Sequence, residues 1–483
     1  MRESNTSFWI CGFLLCIIAW FPVFHHMDFL PVWNYDEARN AVKSLEMAQD
    51  GYTFIPSFRG EPDNWDTKPP FLIWLQATFI KMLGPSEIAV RLPSALAGFA
   101  SILILFFFVF KRSGSLAWAF FSALSLISFL GYCDLHVVRT GDYDSLLTLF
   151  STIFLLSLFR SFESERATRW ILTASVFLFL GLMTKGVVIL MFGPGILAYL
   201  LIHRKFLPIA GNYRYYVGIG LAIGIWISYY FLRNYLSPGY MKAVWVNELG
   251  GRFTDSLENH KNVFWYYIFV LLDAPLFLFA PLAFFLFPKE ADKKVTTFLF
   301  YLGFCVLGFW LFLSLAQTKI RWYAAPLMPL LSILIGYSIH RIIELVQVIK
   351  YVQRKSALLS ILMCIVFFFP PYRLVIDDMF QKKESRPGWE FARYGWMMKN
   401  LSAKYDAFSV VRENYNATID FYAAAIPIKK AVHINTRYEG DYGAGEKILF
   451  CSKSQFERMA ASYNFSILEE MGDCHFVKII HIK

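Results

Sequence analysis

Ten apolar runs of 14 to 25 residues follow one another along this chain, and they restrict what it can fold into more than any other feature. They lie at 8–24, 95–110, 116–130, 170–183, 187–202, 215–231, 263–287, 295–315, 324–339 and 357–370. A helix rises about 1.5 Å per residue, so about 20 residues cross the hydrocarbon of a bilayer. Together with a less regular stretch at 145–160, these runs predict an α-helical polytopic membrane protein with about eleven transmembrane helices. Composition excludes one soluble domain, since 57% of the 483 residues are hydrophobic and only 17% are charged. The segment after Met1 is read as a retained first helix, because no small-residue cleavage site follows it and many further runs do.

The net charge of +10 does not point to nucleic acid, because the basic residues are spread over short loops. Every second loop (111–114, 160–169, 203–214, 288–294, 340–356) is basic, with 15 Lys or Arg against five Asp or Glu in total. The positive-inside tendency makes these loops cytoplasmic. An odd number of spans then leaves the N-terminus inside and everything after Pro370 outside.

The expected organisation is a transmembrane domain over 1–371 and an extracytoplasmic α/β domain over 372–483, with large outer loops at 28–87 and 234–262. In the tail, helices are expected at 389–405 and 453–463, and short strands at 408–412, 431–434, 447–451 and 475–480. Cys451 and Cys474 are the tail's two cysteines; an oxidising compartment would pair them, and two buried thiols fit the sequence as well.

Charged motifs collect in the loops on the outer side. In 32–51, Ala38, Ala41, Val42, Leu45 and Ala48 recur at helical spacing and Gly51 is a natural stop, which predicts a short helix along the membrane surface. Asp36 and Glu37 begin it. Asn34-x-x-Glu37 also serves as a capping pattern, and periodicity does not separate that use from catalysis. Neighbouring helical residues point about 100° apart, so at most one of the two acids faces a reaction centre. Thr67-Lys68-Pro69-Pro70 follows, then Arg139-Thr140-Gly141-Asp142-Tyr143-Asp144, Thr184-Lys185-Gly186, Glu248-Leu249-Gly250-Gly251-Arg252-Phe253 with His260, and Lys319-Ile320-Arg321-Trp322-Tyr323-x-x-Pro326-x-x-Pro329. A cation where a turn barely leaves the membrane is costly unless something anionic meets it. Snorkelling to lipid headgroups accounts for any one of them; as a set, Lys68, Arg139, Lys185, Arg252, Lys319 and Arg321 suggest a cradle for phosphate at the lipid boundary.

In their order, D-E-x-R, K-P-P, R-x-G-D-x-D, T-K-G, E-L-G-G-R-F and K-x-x-W-Y-x-x-P-x-x-P resemble the GT-C membrane glycosyltransferases, over roughly residues 8 to 335. Within them the chain is similar to the branch holding protein O-mannosyltransferases and the bacterial aminoarabinose transferases that modify lipid A. The resemblance implies inverting transfer of a hexose or pentose from a polyprenyl monophosphate donor, such as an undecaprenyl one, to a lipid or glycan acceptor outside the cytoplasm of a bacterial inner membrane. It implies Asp36 as base, supported by Glu37, with Asp144 on sugar or acceptor. Donor phosphate would meet Lys68, Arg139, Lys185, Lys319, Arg321 and Tyr323, and substrate would meet Asp142, Glu248, Arg252 and His260. Asp144 is equally placed to cap the helix that follows it.

One departure bears on metals. In the aminoarabinose transferases an acid precedes the K-P-P lysine and, with a loop histidine, helps hold a metal. Here that position is Thr67, so no metal and no other cofactor is expected. Transfer to protein Ser/Thr is the rival reading. A lipid-linked sugar transporter or flippase ranks lower, since the charges sit at one face and no repeated half appears.

Overall fold

The structure, a computed structural model, describes residues 5–33, 35–164, 166–250, 261–287, 293–347, 356–380, 389–438 and 440–483. Helices α1 (Asn5–Phe24), α2 (Asp36–Asp50), α3 (Phe71–Leu83), α4 (Glu87–Ser113), α5 (Leu116–Ile127), α6 (Asp144–Ser161) and α7 (Ala167–Lys185) form its first half, with a small hairpin of β1 (Ser57–Phe58) and β2 (Glu61–Pro62) between α2 and α3. Among the described residues seven helical stretches are long and apolar enough to cross a membrane, or eight with the bent pair Tyr266–Leu272 and Pro275–Phe284. The expected number of about eleven also drew on the shorter 116–130, on 357–370, and on 187–202, which length alone joins to α7. That join conceals a turn. Gly186 adopts φ 61°, and a Cβ on Gly181 would meet the side chain of Ile189, so the chain doubles back on itself here.

Past the bundle, strands β3 (Ala407–Val411), β4 (His433–Arg437), β5 (Lys447–Phe450), β6 (Tyr463–Met471) and β7 (Cys474–Ile482) make one sheet in the order β4-β3-β5-β7-β6. The first three are mutually parallel, and β7 runs antiparallel to both β5 and β6. A disulfide joins Cys451 and Cys474 where β5 ends and β7 begins. The expected tail elements occur with shifted ends. The helix Ala417–Lys429 and the edge strand β6 were not anticipated, because Pro427 interrupts the helical pattern of the former and the latter mixes polar and apolar residues without clean alternation.

Helix α2 forms where its periodicity places it and stops at Gly51, whose φ of 106° suits glycine. Its surroundings differ from expectation. Ala38, Ala41, Val42 and Leu45 pack against Ile80 and Val90 of the bundle and against Tyr422, Ala425 and Ile426 of the tail helix, so protein rather than lipid covers its apolar stripe. The tail is tied on by polar contacts too: Val32 N–H donates to Tyr422 Oη (3.0 Å), and Tyr422 Oη and Lys399 Nζ both donate to Glu87 (2.6 and 2.7 Å).

One buried ion pair fixes the start of α2. Arg91 Nε and Nη2 donate to the two Glu37 oxygens at 2.6 and 2.9 Å, and its remaining N–H groups reach the carbonyls of Met27, Leu30 and Pro31 at 2.5 to 2.8 Å. Glu37 also accepts from Trp33 N–H (2.7 Å) and Gly141 N–H (2.9 Å). Both side chains are nearly sealed from solvent, at 3% and 1% exposure. Removing one partner of such a pair strands a buried charge at a cost of about 3–5 kcal/mol. Arg91→Met should therefore lower the unfolding midpoint in detergent far more than Arg393→Met, whose pair with Asp473 is mostly solvated and contributes under about 1 kcal/mol. Equal shifts in the two variants would contradict this account.

Candidate active site

The site is built from the N-terminal end of α2, the loop before α6, and the turn after α7. Tyr35, which precedes α2, holds φ 68°, a backbone strain that a tyrosine rarely adopts and that turns Asp36 outward while Glu37 points into protein. Asp36 is exposed and Glu37 buried, as the 100° offset requires.

The second loop folds tightly on Gly141. A Cβ there would lie 2.6 Å from both Gln76 and Val90, so only glycine lets this backbone approach α3 and α4. Thr140 Oγ1 accepts from His136 N–H (2.6 Å) and donates to Asp142 Oδ2 (2.8 Å), which lies 3.2 Å from His136 Nδ1. The His136 ring stacks on Trp322 at 3.7 Å and 12°. Asp36, His136 and Asp142 each bring a ligand-type atom within 4.8 Å of the others. One imidazole nitrogen and two carboxylate oxygens are a donor set that suits a divalent cation.

Burial alone would lower the His136 pKa, but Asp142, with Asp36 and Asp144 behind it, outweighs that and raises it to about 9. With no cation bound the ring is therefore charged at neutral pH and places a proton's charge between the two carboxylates; a cation would have to displace that proton before His136 could ligate it. Burial raises the Asp142 carboxyl, and His136 offsets part of the rise. A histidine whose folded pKa lies above its unfolded value of about 6.5 contributes stability that is complete below that pH and lost as pH rises through the folded value. The unfolding midpoint should fall between pH ~6.5 and ~9 in the parent, and His136→Gln should flatten that slope. A slope unchanged in His136→Gln would remove the imidazolium from the account.

Asp144 starts α6 without capping it: both its oxygens accept from Lys185 Nζ, at 2.6 and 2.7 Å, and both side chains are buried. Lys185 Nζ also sits 4.6 Å from the Tyr323 ring centre. Next to this pair a cavity of about 130 Å³ opens, lined by Thr67, Lys68, Lys185 and Glu248 together with Trp226, Ile227, Tyr230 and Phe231. Thr67 Oγ1 donates to Glu248 (2.8 Å), and Lys68 Nζ lies 3.2 Å from Asp66 and 3.8 Å from Glu248.

Three of the expected phosphate cations are held elsewhere. Arg139 donates to the carbonyls of His25 and His26 (2.7 and 3.1 Å), and burial with Arg91 nearby lowers its pKa to about 10. Lys319 Nζ donates to the Ala316 carbonyl at 2.5 Å, and burial lowers its pKa. Arg321 pairs with Asp273 at 3.2 Å. Arg252 and His260 lie outside the described residues. Residues that the sequence reading passed over are His136, Asp66, Lys43 and Arg91. Only Asp66 carried a local signal, two positions before Lys68.

A sequence profile described as dolichyl-phosphate-mannose-protein mannosyltransferase matches residues 67–236. An uncharacterized protein from Aquifex aeolicus is 30% identical over 387 residues, covering 78% of this chain and 83% of that one. An undecaprenyl phosphate-alpha-4-amino-4-deoxy-L-arabinose arabinosyl transferase from Aeromonas salmonicida is 28% identical over 325 residues, 65% of this chain. The profile and these relatives mark the chain as one of GT-C membrane glycosyltransferase type. It spans 57% of the Aeromonas transferase's length, which leaves a large part of that protein unmatched. The fold of this GT-C chain matches a crystal structure of ArnT from Cupriavidus metallidurans bound to undecaprenyl phosphate, with a TM-score of 0.73 at 14% identity over 99% of this chain and 98% of that one.

Proposed function

We propose that this GT-C chain is an inverting transferase that moves a sugar from a polyprenyl monophosphate to a cell-envelope lipid or glycan. In this reading the face bearing Asp36 is the extracytoplasmic side of a bacterial inner membrane, the N-terminus is cytoplasmic, and 372–483 is the outer domain. The cavity carries the reading: two lysines in a lining that is otherwise mostly aromatic and aliphatic suit a phosphate attached to an isoprenoid chain. The similar proteins support it, since among them undecaprenyl phosphate goes with this fold and with sugar transfer.

Asp36 takes the proton of the acceptor hydroxyl while that oxygen attacks the anomeric carbon from the face opposite the phosphate. The bond from that carbon to the phosphate oxygen breaks, and the lipid monophosphate leaves with the electron pair. Lys68 and Lys185, which line the cavity, stabilise the charge that develops there. Asp144 holds Lys185 in place, and Tyr323 packs beside it. Arg139, Lys319 and Arg321 do not line the cavity, so this reading gives them no part in the step.

Purified protein in lipid nanodiscs, given a panel of polyprenyl monophosphate sugars and envelope acceptors, should release free lipid phosphate measurable by mass spectrometry. Asp36→Asn keeps the side chain's size but cannot take a proton at neutral pH, so release should fall by about 10²–10⁴-fold with donor binding retained. Turnover at the parental rate would disprove the base assignment. The profile match to protein mannosyltransferases favours one second reading, transfer to protein Ser/Thr. Glycan on envelope proteins that disappears on deletion, with lipid and glycan fractions unchanged, would decide for it.

A further inference from the structure

Lys68 reaches the cavity with two acids at close range, one from its own loop and one from the segment Trp245–Leu249. Asp66 accepts from both the N–H and the Nζ of Lys68 at 3.2 Å, and Glu248 lies 3.8 Å from that Nζ. Alone, two carboxylates would cancel a lysine's attraction for phosphate. The chain supplies counter-charges from behind. Lys43, on α2 and 1% exposed, bonds to the other Asp66 oxygen, which also accepts from Tyr143 Oη at 2.9 Å. Asp63 is taken up by Arg39 in a two-point pair at 2.6 and 3.0 Å. Arg233, also 1% exposed, donates to the carbonyls of Asp63 (2.6 Å), Asp66 (3.3 Å) and Lys68 (3.3 Å). Among the described residues, Lys43, Lys68, Arg39 and Arg233 thus stand against Asp63, Asp66 and Glu248, one cation in excess.

We infer that Asp66 is a positioning residue that aims Lys68 into the cavity, and that the buried Lys43 neutralises Asp66 so that the excess positive charge is presented at Lys68. Asp66 performs both tasks because it bridges three elements. One oxygen fixes the loop and Lys68, while the other fixes α2 through Lys43 and the second loop through Tyr143. A fully buried lysine on the helix that begins with Asp36 has no role in packing that an apolar side chain would not fill at lower desolvation cost. It earns its position through charge. The two lysines also hold the Asp66 carboxyl well below the usual carboxylate range, against the effect of burial, so Asp66 stays charged throughout the working pH range.

The inference rests on the reading of the cavity as a donor-phosphate site, and its test separates the two. Binding of undecaprenyl phosphate alone is measured on the full chain in nanodiscs, with Lys68→Ala as the control. If the parent binds the lipid no better than Lys68→Ala, the site reading fails. If Lys68→Ala binds more weakly than the parent, the charge inference predicts opposite signs for two other variants. Lys43→Met leaves Asp66 uncompensated and should weaken binding by about tenfold, whereas Asp66→Asn removes an opposing charge at nearly constant shape and should tighten it severalfold while lowering kcat. A purely structural role would weaken binding in both. Should Lys43→Met fail to fold, Asp66→Asn still decides: weaker binding than the parent in a folded sample overturns the inference.

Discussion

A carboxylate and a guanidinium sealed from water determine how this site is assembled. Glu37 and Arg91 satisfy one another completely, with both carboxylate oxygens accepting twice and every guanidinium N–H donating. Three consequences follow from that one contact. The start of α2 is clamped to α4, the chain leaving α1 is held through its carbonyls, and the second loop is drawn in through Gly141. With Glu37 committed inward, Asp36 must face out. There it meets His136 and Asp142, which that same loop presents.

Around this clamp the charges are arranged as compensated groups. Asp144 and Lys185 form a closed pair, His136 lies between two carboxylates, and Asp66 lies between two lysines. Arg139 and Lys319 rest on main-chain carbonyls. The charged side chains thus reach the edge of an apolar bundle already solvated by the protein, as a poorly hydrated site demands. Of the two lysines that line the cavity, Lys68 is 19% exposed and Lys185 only 7%.

Much of this was legible in the sequence. Apolar runs marked the helices, a 3.6-residue pattern marked α2, and the loops carrying Asp36, Lys68, Asp142, Asp144 and Lys185 do converge. The partners were not legible, because they are chosen across long separations: 41 residues for Lys185 and Asp144, 54 for Arg91 and Glu37, 77 for Tyr143 and Asp66. Spacing along a chain says nothing about such distances. Arg139 misled for a related reason. It is flanked by motif residues, yet its side chain runs to the end of α1, 114 positions away. Helix α2 misled differently, since an amphipathic stripe looks the same whether lipid or a protein domain covers it.

The order of residues in the central ion pair bears on how the chain is made. Glu37 precedes Arg91 by 54 residues, so the acid has left the ribosome before the helix that carries the guanidinium begins to emerge. Asp144 likewise precedes Lys185, by 41 residues. In both cases the anion belongs to the earlier element and awaits its cation, and each cation arrives on an apolar helix that must be integrated into the membrane. Vectorial synthesis thus gives these two membrane-bound cations a counter-ion before they need one.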